Sequence, residues 1–183
     1  MRADAKRNYD KIVEVAREMF REKGYDASLD EIAKRAGVGP GTLYRHFPTR
    51  ENLIDAVLQS WVDRVNDTAD KALAREGTDR DVLLAWFEEY VALISQHRGG
   101  PAKITSAMDD PASPIRPKCQ VLAGANDRVL DQLRGRGALR PGVESVQVCR
   151  LVGGIATVAD QSGLEQSAVR PLLEVVADGL LHP

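Results

Sequence analysis

The chain has 183 residues, 43% of them hydrophobic, and a formal net charge of −2, enough for one sizeable core plus a small satellite domain. No apolar run approaches the roughly 18 residues of a membrane span and the amino terminus is strongly charged, so no anchor or signal peptide is expected and the chain reads as cytoplasmic. Its cysteines, Cys119 and Cys149, lack metal-ligand or CxxC spacing, and His46, His97 and His182 form no HxxxH or HExxH pair, so reduced buried thiols, no metal and no cofactor are expected.

In chain order, Tyr9, Ile12, Val13, Ala16, Met19 and Phe20 recur at helical spacing and predict an amphipathic first helix capped at Gly24. Residues 28–50, SLDEIAKRAGVGPGTLYRHFPTR, then read as two short helices around a glycine turn. Ser28 and Glu31 have the spacing of a capping box, and Ile32 and Ala33 face inward before the helix ends at Ala36. Gly37 supplies the left-handed turn, and Pro40 fits the first position of a second helix over about 39–46. With Leu43 and Phe47 turned inward at about 100° per residue, Gly41 and Arg45 point away, flanked by Thr42 and Tyr44, with His46 at the border. A guanidinium, a hydroxyl with a methyl, a phenol and two glycines suit base edges and phosphates in a major groove. By pattern alone, an ordinary helical hairpin with a solvated polar face fits as well.

The run GTLYRHFPTRENLIDAV, preceded by a capped helix and AGV, resembles the signature of the TetR family of transcriptional regulators over about the first 60 residues. The resemblance implies an all-α subunit of about nine helices and two domains, a helix-turn-helix DNA-binding domain over 1–49 and a helical effector-binding and dimerisation domain over 50–183. It implies a homodimeric repressor, not an enzyme, that leaves its operator when a small ligand binds. Carried over by position, Pro40, Gly41, Thr42 and Arg45 approach bases, whereas Ser28, Tyr44, His46 and Arg50 face phosphates. Gly39 stands where many relatives have a serine or threonine, so a hydroxyl contact is not expected there. Charge is distributed to match: residues 1–50 carry eleven Lys+Arg against eight Asp+Glu, a balance of +3, and residues 51–183 carry fourteen against nineteen, a balance of −5. Arg2, Lys6, Arg7 and Lys11 make the amino-terminal arm basic, which fits either a phosphate-touching arm or a solvated tail.

Pro48 closes the recognition helix and Thr49 caps the next, a long helix over 50–75 striped with Leu53, Val57, Trp61, Val65 and Ala69 and long enough to be a lever connecting the first domain to the remainder. After Glu76-Gly77-Thr78, residues 79–97 are apolar most of the way round, as befits a buried central helix. Prolines 101, 111, 114 and 117 exclude one straight helix over 98–118, leaving a short helix at 101–109 and a loop. Helical spacing resumes over 118–134 and 143–161, the latter containing Gly153 and Gly154, which suggest close approach of another backbone. In the last helix, Pro171 is expected in the first turn.

The stripes Val148, Leu151, Val152 and Ile155, and Leu172, Leu173, Val176 and Leu180, either complete the subunit's own core or form a dimer interface; TetR-like dimers join through these two helices, which favours the interface. The family expectation of an effector pocket falls on Trp86, Phe87, Tyr90, Ile94, Ile104, Met108, Val121, Leu122, Asn126 and Val158, aromatic and flexible apolar groups beside the proline-broken segment. Each could equally be a core residue. Few charges among them point to a largely apolar ligand. The expected partners are thus a palindromic double-stranded DNA operator, a second copy of the chain, and a small effector, with no membrane. The alternative is a DNA-binding regulator whose second domain only dimerises or binds a protein. Asp109, Asp110 and His97 form no nucleophile–base or metal motif that would support an enzyme.

Overall fold

The computed structural model describes residues 2–23, 26–96, 98–113 and 115–182; Gly24, His97 and the side chain of Arg2 lie outside the described residues. Among these residues are nine α-helices: α1 Arg2–Lys23, α2 Leu29–Arg35, α3 Pro40–His46, α4 Arg50–Leu73, α5 Asp79–Ile94, α6 Gly100–Ala107, α7 Arg116–Gly135, α8 Ser145–Ser162 and α9 Gln166–Leu180. They include no strand; an isolated antiparallel bridge joins Leu139 to Leu181. None of these helices is long and apolar enough to cross a membrane. The helices group into two compact units, Met1–Asp63 and Arg64–Pro183. Leu53 and Val57 of α4 are buried in the core of the first unit, so a boundary at 49/50, drawn where α4 begins, separates residues that pack together.

In the first unit, the α1 stripe Ile12, Val13, Ala16, Met19 and Phe20 packs against Ile32 and Ala33 of α2, Leu43 of α3 and Phe47. Each fully buried Leu, Ile or Phe contributes on the order of 2 kcal/mol, which holds the two seven-residue helices α2 and α3 that would not persist alone. The turn between α2 and α3 is a Schellman motif: Gly37 N–H donates to Lys34 O (3.1 Å) and Val38 N–H to Ala33 O (3.0 Å). Gly37 adopts φ 70°, where a Cβ would be strained.

The capping box expected at α2 is only half formed. Ser28 Oγ accepts the Glu31 N–H at 3.4 Å, but the Glu31 carboxylate is taken by Lys23 Nζ of α1 at 2.5 Å. Arg35 of α2 likewise reaches Glu22 (3.0 Å) and Glu18 (3.3 Å) on α1, and its guanidinium holds the Glu22 carboxyl below the usual range. Such exposed pairs orient helices more than they stabilise them. A complete box stands instead at α5, where Asp81 N–H donates to Thr78 Oγ1 (3.2 Å) and Thr78 N–H to Asp81 Oδ2 (2.9 Å).

The second unit is built around α5, whose Val82, Leu83, Leu84, Trp86, Phe87 and Tyr90 are buried, as the all-round apolar pattern requires. Helices α6, α7, α8 and α9 pack on it, and α8 also packs on α6, α7 and α9. Of the glycine pair in α8, Gly153 is consumed within the subunit: a Cβ there would lie 2.7 Å from Thr105 Oγ1 of α6. Gly154 faces open space. Pro171 is not in the first turn of α9, which begins at Gln166; it lies inside the helix with its ring exposed, removing one backbone hydrogen bond from an outer face.

A buried polar chain crosses the second unit. Trp86 Nε1 donates to Asn126 Oδ1 (2.9 Å), and Asn126 Nδ2 donates to Ser145 Oγ (2.8 Å) and Ser145 O (3.3 Å). Asn126 is fully buried, so Asn126→Leu leaves a buried indole N–H without its acceptor and a serine carbonyl without its donor. A loss of about 2–3 kcal/mol in urea unfolding is expected; a change below experimental error would show that neither bond matters.

Candidate nucleic-acid interface and effector unit

The outward face of α3 follows from how the helix is anchored. Leu43 (0% exposed) and Phe47 (2%) are locked into the first unit, which fixes the rotation of the helix about its axis. Gly39, Pro40, Gly41, Tyr44 and Arg45 are left exposed, with Thr42 half-buried beside them. Arg45 Nη2 donates to Thr42 Oγ1 at 3.3 Å, so the guanidinium and hydroxyl expected to meet bases lie together on one face. A Cβ built at Gly39 or Gly41 meets nothing within 4 Å, and neither residue needs positive φ. The subunit's own packing therefore does not demand glycine there. The absent side chains matter only to something approaching from outside.

His46 is half-buried at the edge of this face. Its ring lies 6.1 Å from Tyr9, edge-on, and 6.2 Å from Phe47, and Tyr9 packs 5.0 Å from Phe47. Tyr9 of α1 thus braces the carboxyl end of α3, as befits a member of the stripe that packs across the two short helices. Ser28 is exposed and caps α2. Arg50, expected to face phosphate, is half-buried and donates from Nη1 to Ala27 O at 2.6 Å, tying the start of α4 to the residues before α2. Lys6, Arg7 and Lys11 are exposed along α1, with Arg7 paired to Asp4.

The expected effector residues separate into three groups. Trp86, Phe87, Tyr90, Ile94, Leu122 and Asn126 are buried core, and the hydrogen bond between Trp86 and Asn126 runs through it. Ile104, Met108 and Val121 are partly exposed on α6, the residue after it, and α7. Val158 is 52% exposed on the outer face of α8, where helical phase turns it away from the α5 side. Burial pushes the Tyr90 phenol and both thiols, Cys119 and Cys149, above their ordinary values, and Cys149 shares hydrogen bonds with Tyr90 and Ser145. Thiols held protonated in this way are poor nucleophiles.

A groove of about 440 Å³ opens elsewhere, between α5, α8 and α9, walled by Val91, Ala159, Leu164, Val169 and Leu173 with Glu88, Asp160 and Arg170 beside them. Periodicity could not find it, because its walls come from helices some 70 residues apart whose faces also read as core.

The expected interface stripes divide by face. Val148, Val152, Leu173 and Leu180 are buried within the subunit. Ile155 and Val176 are partly exposed, Leu151 is 51% and Leu172 40% exposed, and Val175, not anticipated, is 72% exposed. Helices α8 and α9 therefore each bury one apolar face and present another.

These features define a helix-turn-helix DNA-binding unit joined to a helical second unit. Comparison with known proteins agrees. The family model for bacterial regulatory proteins of the tetR family matches residues 12–57, and that for the carboxyl-terminal domain of SbtR-like transcriptional regulators matches 79–182. A TetR transcriptional regulator from Streptomyces coelicolor is 33% identical, with 94% of this chain and 98% of that one covered and a TM-score of 0.62. A TetR transcription regulatory protein from Mycobacterium vanbaalenii is 28% identical, with 99% of each chain covered and a TM-score of 0.63. An HTH-type transcriptional regulator of Staphylococcus aureus is 45% identical over 64 residues, 34% of this chain; the match spans 35% of that relative's length. The chain belongs to the TetR family of transcriptional regulators, which are DNA-binding proteins and not enzymes.

Proposed function

We propose that this chain is a cytoplasmic, homodimeric repressor that binds a palindromic operator and is released from it by a small molecule held in its second unit. The observation that carries the DNA reading is the outward face of α3, where Arg45 and Thr42 lie side by side beyond two glycines, Gly39 and Gly41, that the fold itself does not require. Arg45 and Thr42, with Pro40 and Gly41, read bases; Tyr44, His46, Ser28 and Arg50 position the helix on phosphates. One seven-residue helix reads too few base edges to find a site in a genome, so two copies related by a two-fold axis are needed. The exposed apolar face of α8 and α9 supports that pairing.

Release is a population shift. A ligand that favours one arrangement of the second unit changes α4, which both units share, and the paired α3 helices then fit successive major grooves less well. The dense packing of Trp86, Phe87 and Leu122 favours a second reading, in which the second unit only dimerises. A screen for molecules that release bound DNA separates the two.

Selection of bound sequences from a random DNA pool tests the proposal directly, with an inverted repeat as the expected result. On that site, Arg45→Ala should relax preference at one base pair per half-site, costing about 1–3 kcal/mol there. Tyr44→Ala should weaken all sequences alike and flatten the salt dependence. Equal loss on specific and random DNA for Arg45→Ala would remove its base-reading role.

A further inference from the structure

Resting on the ligand-responsive reading above, we infer that the effector is an apolar organic cation and that it binds in the groove between α5, α8 and α9, outside the tightly packed α5–α7 core. The groove's volume, about 440 Å³, falls in the range that encloses drug-sized molecules. Its walls, among them Val91, Leu164, Val169 and Leu173, bury an apolar body. The charge at its rim selects the sign of the ligand. Arg170, the cation among the described lining residues, is already bridged to Glu88 and, at 3.1 Å, to Glu174, so it offers little to an anion. Among the described residues, Asp160 is held by an uncharged partner, accepting a hydrogen bond from the Gly99 N–H at 2.7 Å. Carboxylates thus outnumber guanidinium around an apolar cavity, and partial desolvation there strengthens their pull on a positive charge.

The groove is separate from the surface proposed to pair two subunits. On α8 and α9 it is lined by Ala159, Val169 and Leu173, which are buried on the sides turned to α5, whereas Leu151 and Val175 are exposed. It is also wired to the helix that must respond. Asp160 pins the turn between α5 and α6 through Gly99, and Gln96 in that turn accepts a hydrogen bond from Arg64 Nη2 of α4 at 3.4 Å. A cation that draws on the Asp160 carboxylate competes with the Gly99 amide and so loosens a turn in contact with α4.

The test is calorimetric titration of the full chain with tetraphenylphosphonium and with tetraphenylborate, ions of the same shape and opposite charge. The cation is expected to bind at least about tenfold more tightly than the anion. Asp160→Asn keeps an acceptor for the Gly99 amide, and Glu88→Gln leaves Arg170 its bond to Glu174, so both should fold; each should weaken the cation about fivefold and leave the anion unchanged or tighter. Ala92→Trp, which places a large ring in the groove, should abolish cation binding without altering the mass measured by light scattering. Equal affinity for the two ions, or variants that bind the cation as tightly as the parent, would overturn the inference. A shift of Ala92→Trp to monomer would also overturn it, by identifying the second copy as the occupant. Operator binding, measured on the same variants without either ion, keeps the two proposals apart: release by another molecule, unaffected by Asp160→Asn and Glu88→Gln, would remove this site and leave a ligand-responsive regulator.

Discussion

Replacing Leu151 and Val175 together by glutamate is expected to convert the chain to a monomer and to lower its affinity for an inverted-repeat operator by at least about 100-fold, because the second half-site then binds without the benefit of linkage to the first. In the isolated subunit Leu151 is 51% exposed, Val158 52%, Leu172 40% and Val175 72%, on two helices that pack against each other. Monomeric proteins seldom leave so many large apolar groups together in water. A Cβ at Gly154 of α8 or Gly179 of α9 would meet nothing within the subunit, so both positions leave room for a partner helix to come close. Glutamate at 151 and 175 costs little in a monomer, where the side chain stays solvated, and a great deal in an interface, where two like charges would be buried. Light scattering at micromolar concentration gives the mass, and helical signal on heating confirms that the subunit still folds. An unchanged dimer would place the interface elsewhere.

The second large effect concerns the inward side of α3. Leu43→Ala should destabilise the first unit by about 3 kcal/mol, since Leu43 is fully buried among Ile12, Ile32, Phe47 and Leu53 and its loss leaves a cavity in a small core. Gly41→Ala is the complementary change. Its new methyl meets no atom of the subunit, and an alanine gains up to about 1 kcal/mol over glycine in a helix, yet operator binding should weaken because the methyl stands where the DNA backbone or bases must approach. Thermal melts and DNA titration on the two variants should therefore move in opposite senses for Gly41→Ala and together for Leu43→Ala. A Gly41→Ala protein that is more stable and binds DNA equally well would show that α3 does not lie as close to DNA as proposed.

Much of the site was legible in the sequence because its determinants are local. The Gly37 turn, Pro40 at the head of α3 and the Leu43–Phe47 spacing lie within a dozen residues and specify two helices and their inward face without reference to the rest of the chain. The capping at Thr78 and the break between α6 and α7, with Pro117 in the first turn of α7, were legible for the same reason. Side-chain partners were less legible. Glu31 had the spacing for a capping box, but Lys23 of α1 competes for its carboxylate. Arg50 places one arm of its guanidinium on the carbonyl of Ala27, a contact across 23 residues that no local pattern announces.

Amphipathic stripes show the limit most plainly. Val148 and Leu151, or Leu172 and Leu173, are neighbours in one apolar pattern, yet the first and last of these four are buried in the subunit and the other two are exposed. A hydrophobic period states that a face is apolar; it does not state how wide a sector its own subunit can cover. That is decided by where α5 and α6 lie against α8 and α9. By itself, then, the sequence determined the helices, their inward faces and the outward side of α3, because caps, turns and periods act over one or two helical turns. Only the tertiary structure decided which apolar residues are core and which remain for a partner, and that the groove lies beside Glu88, Asp160 and Arg170, because burial and charge balance depend on residues brought together from distant parts of the chain.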